Sequence, residues 1–77
     1  MPHDTHFEIH IDGQHFSVEQ TTMSGAQLKA LVGKDASYQL FEELSGNQPD
    51  RPILDTDAVT MKTGLHFYTV PPATFGA

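Results

Sequence analysis

Gly76 stands one residue before the last position of this 77-residue sequence, behind Pro71-Pro72-Ala73-Thr74-Phe75. Two prolines remove two backbone donors and hold a chain extended. A residue with no side chain lets another protein's cleft close tightly around the backbone. The segment is therefore either a frayed terminus, as most termini are, or the working end of the molecule.

The other residue types that could do chemistry are histidines, serines and acidic pairs. Of five histidines, His10 and His15 face each other in the hairpin register argued below, and His6 faces Glu19. Cross-strand neighbours stand about 5 Å apart at Cβ, close enough to share an ion. No third ligand is placed by the pattern, so a solvated, His-rich face is the plainer reading. Ser24 is better explained as a helix cap than as a nucleophile, and Ser17, Ser37 and Ser45 have no base beside them in the pattern. Glu42-Glu43 and Asp55/Asp57 fall on a strand and a turn, where charge on a sheet surface deters sheet-to-sheet pairing. A sheet of this size with one helix leaves little room for a substrate cavity. The expectation is a protein that is not an enzyme and carries no cofactor.

Composition narrows the partners. Lys29, Lys34, Arg51 and Lys62 are the only permanent cations, and the formal charge is -6. Binding phosphates takes a basic face, so nucleic acid and anionic membranes are not expected partners. There is no cysteine, hence no disulfide, thiolate metal site or cysteine nucleophile. A chain this short buries only about 60% of the surface it exposes when unfolded. Small secreted domains usually compensate with disulfides. Met1-Pro2-His3-Asp4 does not read as a signal peptide, and no apolar run is long enough to span a bilayer. A cytoplasmic protein is expected.

Several elements must position these groups. Phe7, Ile9 and Ile11 alternate with Glu8 and His10, Asp12-Gly13 is a strong type I′ hairpin signal, and Phe16 and Val18 alternate after it. With a two-residue loop, Ile11 faces Gln14, Ile9 faces Phe16 and Phe7 faces Val18, so the apolar residues meet on one face. Ser24 and Gln27 have capping-box spacing, with Met23 and Leu28 at the positions of a hydrophobic staple. Leu28, Leu31 and Val32 form the expected buried stripe of a nine- or ten-residue helix, which Gly33 can stop in a left-handed conformation. Tyr38 to Leu44 reads as a third strand with Leu40 inward and Phe41 outward. Ser45 to Pro52 reads as a loop, and Ile53-Leu54 as an apolar clip. A turn at Asp55-Thr56-Asp57 and alternating Val59 and Met61 follow. Lys62-Thr63-Gly64 turns the chain into a last strand with Leu65 and Phe67 inward and His66 and Tyr68 outward.

This order, β-β-α-β-(β)-β, predicts an α+β fold: one main helix across a mixed sheet of four to five strands. Residues 1–70 form the domain and 71–77 a flexible tail. A crossover from the second strand through the helix to a parallel neighbour is expected. If the third and last strands are neighbours, Phe41, His66 and Tyr68 form an exposed patch with Val70 at its rim. Clustered exposed aromatics often mark a partner site.

Four pieces together resemble the bacterial ubiquitin-like proteins grouped as multiubiquitin domains. They are Phe7-Glu8-Ile9 to Ile11-Asp12-Gly13, Ser24-Gly25-Ala26-Gln27-Leu28-Lys29-Ala30-Leu31, Tyr38-Gln39-Leu40-Phe41, and Phe67-Tyr68-Thr69-Val70-Pro71-Pro72. The resemblance implies a ubiquitin-like β-grasp. It also implies partners: an E1-like adenylating enzyme, an E2-like protein and a JAB-type metallopeptidase, in operons some of which are linked to defence against phage. It implies a modifier whose C-terminal carboxylate is activated and joined to a target protein, with Phe41, His66, Tyr68 and Val70 as a docking patch. Ubiquitin ends in a basic stretch and a Gly-Gly pair, whereas this chain ends in Phe75-Gly76-Ala77 with no arginine. Removal of Ala77 by the peptidase would expose Gly76; conjugation through Ala77 itself is the alternative. A non-covalent ubiquitin-like binding module is the second reading, and a sulfur carrier the third.

Overall fold

The computed structural model describes residues 6–72, in which eight elements follow one another: β1 (Phe7–Ile11), β2 (Gln14–Val18), β3 (Thr22–Ser24), α1 (Gly25–Leu31), β4 (Gln39–Glu42), β5 (Arg51–Ile53), β6 (Ala58–Thr60) and β7 (His66–Val70). Five strands form one sheet in the order β2-β1-β7-β4-β5, and β3 and β6 form a separate pair. The first hairpin has the register its turn dictates. Phe7 faces Val18, Ile9 faces Phe16, His10 faces His15 and Ile11 faces Gln14. Asp12 and Gly13 both have positive φ, 55° and 79°, as a type I′ turn demands.

The helix begins where the capping box places it. The Ser24 hydroxyl accepts from the Gln27 amide, and the Gln27 side chain accepts from the Ser24 amide. It ends at Leu31, two residues before Gly33, whose φ is 78°. The Gly33 and Lys34 amides donate back to Ala30 and Lys29, which satisfies carbonyls at the helix end. At seven residues this helix is too short to stand alone, so packing must hold it. Leu28 is fully buried and packs with Ile9, Ile11 and Leu40 at the centre of the core. Each such side chain contributes about 1.5–3 kcal/mol by leaving water.

Four local expectations need correction. Leu31 is exposed and Val32 only half-buried. The helix ends before it can turn Leu31 fully onto the sheet, and the buried partner of Leu28 is the charged Lys29 instead. Arg51 and Pro52 belong to β5 rather than to the preceding loop. Proline is tolerated there because β5 is an edge strand. Leu54 does not continue the clip: Ile53 is buried, but Leu54 is 64% exposed. Thr22–Ser24, read only as a lead-in to the helix, pairs antiparallel with Ala58–Thr60, which covers Met23 and Val59 at the end of the core.

The crossover also differs. β2 lies at the edge, and the chain passes through α1 to β4 with β1 and β7 between them. The one parallel pairing joins β1 to β7, the first strand to the last. Closing the sheet through its two most distant strands puts β7 in the centre, hydrogen-bonded to β1 and β4. One helix held by a mixed five-stranded sheet is the ubiquitin-like β-grasp. No helix among the described residues is long and apolar enough to cross a membrane.

Candidate partner-binding face and C-terminal exit

Alternation along the strands sends one set of side chains to the core and the other to an outer face. In β4, Leu40 and Glu42 turn inward and Phe41 outward; in β7, Phe67 turns inward and Tyr68 outward. Phe41 and Tyr68 are in register. Their rings stack with centroids 5.3 Å apart and planes 13° apart, within the range where aromatic pairs add to simple burial. Both rings are half-buried, as is Val70, which faces Gln39. Pro52 faces Phe41 on β5 and is exposed.

His66 is exposed on the same face, but its ring contact is to β1 rather than to Tyr68. The His10 and His66 rings lie 4.8 Å apart and nearly parallel, and His10 meets His15 at 5.3 Å with tilted planes. Rings thus run in two groups across the outer face: His15, His10 and His66 on β2, β1 and β7, then Tyr68 and Phe41 on β7 and β4. The His10 Nδ1 is buried and accepts or donates no hydrogen bond. His6 reaches Glu8 on its own strand, and His15 pairs with the other oxygen of that carboxylate. Among the described residues no group of three or more histidines or carboxylates is arranged to hold a metal ion.

Beside Tyr68 the surface becomes acidic. The Tyr68 hydroxyl donates to Asp50 at 2.6 Å, which ties the 45–50 loop to β7. That bond, withdrawal from water and the negative charges of Asp50 and Glu43 raise the Tyr68 phenol above its ordinary value. A cavity of about 540 Å³ opens here between the end of β4, Asp50 and the residues entering β7, with Glu42 and Glu43 in its wall.

The exit of β7 is fixed from the first hairpin. The Thr69 amide donates to Asp12 Oδ1 at 2.8 Å, and its hydroxyl donates to Oδ2 at 2.6 Å. Asp12 therefore shapes the turn and clamps the last strand two residues before Pro71. Pro71 and Pro72 are exposed and belong to no element. Gly76 and Ala77 lie outside the described residues.

Sequence reasoning placed Phe41, His66, Tyr68 and Val70 on one face but missed three features. The clamp was hidden because Asp is already an ordinary residue for that turn. The Tyr68–Asp50 bond was hidden because a loop position has no periodicity. Lys29 is 4% exposed, and its ammonium donates to the Ala36 and Tyr38 carbonyls and pairs with Asp55. A lysine in a short helix gives no sign of this in sequence.

The Multiubiquitin family model matches residues 7–72, from the start of β1 to the second proline beyond β7. No curated protein and no solved structure matches the chain.

Proposed function

Because the chain belongs to the multiubiquitin family, a ubiquitin-like family, we propose that it is a protein modifier of a bacterial conjugation system. In this reading its C-terminal carboxylate is adenylated by a dedicated E1-like enzyme, passed to an E2-like protein and joined to an amine of a target protein. The catalytic chemistry belongs to those partners. This chain supplies the carboxylate and the outer face around Phe41 and Tyr68 on which partners dock. A JAB-type metallopeptidase would remove Ala77 to expose Gly76. The absence of arginine from 71–77 favours an E1 suited to this tail rather than to ubiquitin's. A role in defence against phage would follow from the operons in which such systems occur.

The observation that carries the proposal is the family match across residues 7–72. Its limit at Pro72 is where the chain leaves a central strand beside the outer face. The test is intact-mass measurement of the chain incubated with ATP and its E1-like, E2-like and JAB-type partners. Loss of one alanine, followed by an adduct on another protein, is the expected result. An unchanged mass with partners shown to be active would sink it.

The second reading, a non-covalent binding module, is favoured by the Phe41–Tyr68 pair alone, since that surface needs no tail. Deleting Gly76 and Ala77 separates the two: conjugates vanish under the first reading and binding persists under the second. A sulfur carrier would instead show a terminal thiocarboxylate in the same mass measurement.

A further inference from the structure

The acidic cavity next to Tyr68 has features that a merely solvated acidic edge lacks. Glu42 is nine-tenths buried, and among the described residues no hydrogen bond or ion pair reaches its carboxylate. A buried carboxylate without a partner is costly. Arg51 lies across the ladder from Glu42, yet it does not approach to ion-pair distance; together with Lys62 it lines a different cavity on the far side. Glu43 is held at the rim by its amide, which donates to the His66 carbonyl at 2.8 Å. Asp50 completes the wall and is the same carboxylate that accepts from Tyr68. Leu44, Leu65 and His66 supply apolar and ring surface around it.

Charge across the rest of the face points the same way. The outward positions of the five strands carry rings, carboxylates and neutral polar groups, with no lysine or arginine. Lys29 is buried under the helix, Lys34 sits over the Tyr38 ring, Arg51 alternates to the inward side of β5 with Ile53, and Lys62 lies in the loop before β7.

We propose that this cavity takes an arginine side chain of a partner protein, held by Glu42, Glu43 and Asp50, while apolar side chains beside that arginine lie on the Phe41–Tyr68 pair. The cavity volume admits a guanidinium with its stem. Arginine fits better than lysine because its planar fork can meet two carboxylates at once and stack on a ring. The proposal rests on the partner-docking part of the modifier reading and deepens it by naming the partner's chemistry.

The test is an NMR titration of the isotopically labelled full chain with short blocked peptides. The first carries one arginine between two leucines; its twins carry lysine or glutamate at the same place. The arginine peptide should shift Glu42, Glu43, His66 and Tyr68. It should bind at least threefold more tightly than the lysine twin and show no equivalent with glutamate. Raising the salt from about 50 to 300 mM should weaken it severalfold. The double variant Glu43→Gln, Asp50→Asn alters two exposed groups and should weaken binding at least fivefold. Equal binding of the lysine or glutamate twin overturns the proposal. So do shifts elsewhere, insensitivity to the variant and to salt, and no binding at all. The same shifts produced by calcium chloride alone, or by concentrating the chain alone, would assign the cavity to a cation or to a second copy and overturn it too. Deleting Gly76 and Ala77 should leave peptide binding unchanged, so failure of conjugation and failure of this docking site are read separately.

Discussion

Single residues carry more of this molecule than their types suggest. Gly25 opens the helix, where a glycine would ordinarily be a weak choice. A Cβ there would stand 2.2 Å from the Leu54 carbonyl oxygen and 2.8 Å from its carbon. The Gly25 and Ala26 amides donate to Asp57 and Asp55, so the helix start is pressed against a backbone that cannot yield cheaply. Gly25→Ala should therefore cost about 3 kcal/mol or more in urea unfolding, although alanine is the better helix former. Tyr68 offers a spectroscopic reading of the acidic corner. With Tyr38→Phe in the background, ultraviolet titration should show Tyr68 ionising above its ordinary value near 10.0, and Asp50→Asn should bring that midpoint down. A raised phenol gives stability below its unfolded value that is lost as pH climbs through the folded one. An unchanged midpoint in Asp50→Asn would show that the bond to Asp50 does not hold in solution.

At the scale of elements, the first hairpin and the helix cap were legible because each is a local decision. Turn chemistry and period-two alternation set the β1–β2 register, and four residues set the helix start. Pairing across the chain has no such local signal. β3 and β6 are three residues each and become strands only by facing one another. The helix stripe failed at Leu31 because an i, i+3 pattern does not say where the helix stops. The Asp12–Thr69 clamp joins the first turn to the last strand, 57 positions apart in sequence. Asp12→Ala removes two acceptors and a residue suited to positive φ. It should destabilise by about 2 kcal/mol and speed amide exchange at Thr69 and Val70 more than in β2. A uniform loss of protection would argue that the clamp has no special hold on the exit of β7.

Whole-molecule properties follow from charge and from which amines remain accessible. Withdrawal of Glu8 from water acts to raise its carboxyl, but Ser17, His15 and His6 together outweigh it, so it lies below the ordinary 4.5. Asp35 is held below 3.8, chiefly by the Ser37 hydroxyl. Carboxyls lowered by folding give stability that is present above their unfolded values and lost as pH falls through the folded ones. The urea midpoint should therefore drop as pH is taken from 5 toward 2, and Glu8→Gln should flatten that drop. Of the three lysines, Lys29 is buried in its ion pair, Lys34 is half-buried over Tyr38, and Lys62 is exposed. If copies are joined to one another, Lys62→Arg should remove most of the product in a conjugation assay while Lys29→Arg does not.

What the amino-acid sequence settled alone was what neighbours along the chain decide. That covers the Asp12-Gly13 turn and its register, the Ser24–Gln27 cap, the alternation that sends Phe41 and Tyr68 outward, and the family pattern. What only tertiary structure decided were meetings between distant segments. These include β7 between β1 and β4, Gly25 against Leu54, Lys29 inside, Asp12 on Thr69, and Glu42 beside Asp50. Each depends on the closing of the sheet, which brings the first strand to the last and sets an acidic cavity beside two stacked rings. Hydrophobic period and turn chemistry act over a few residues, so no reading of spacing could reach them.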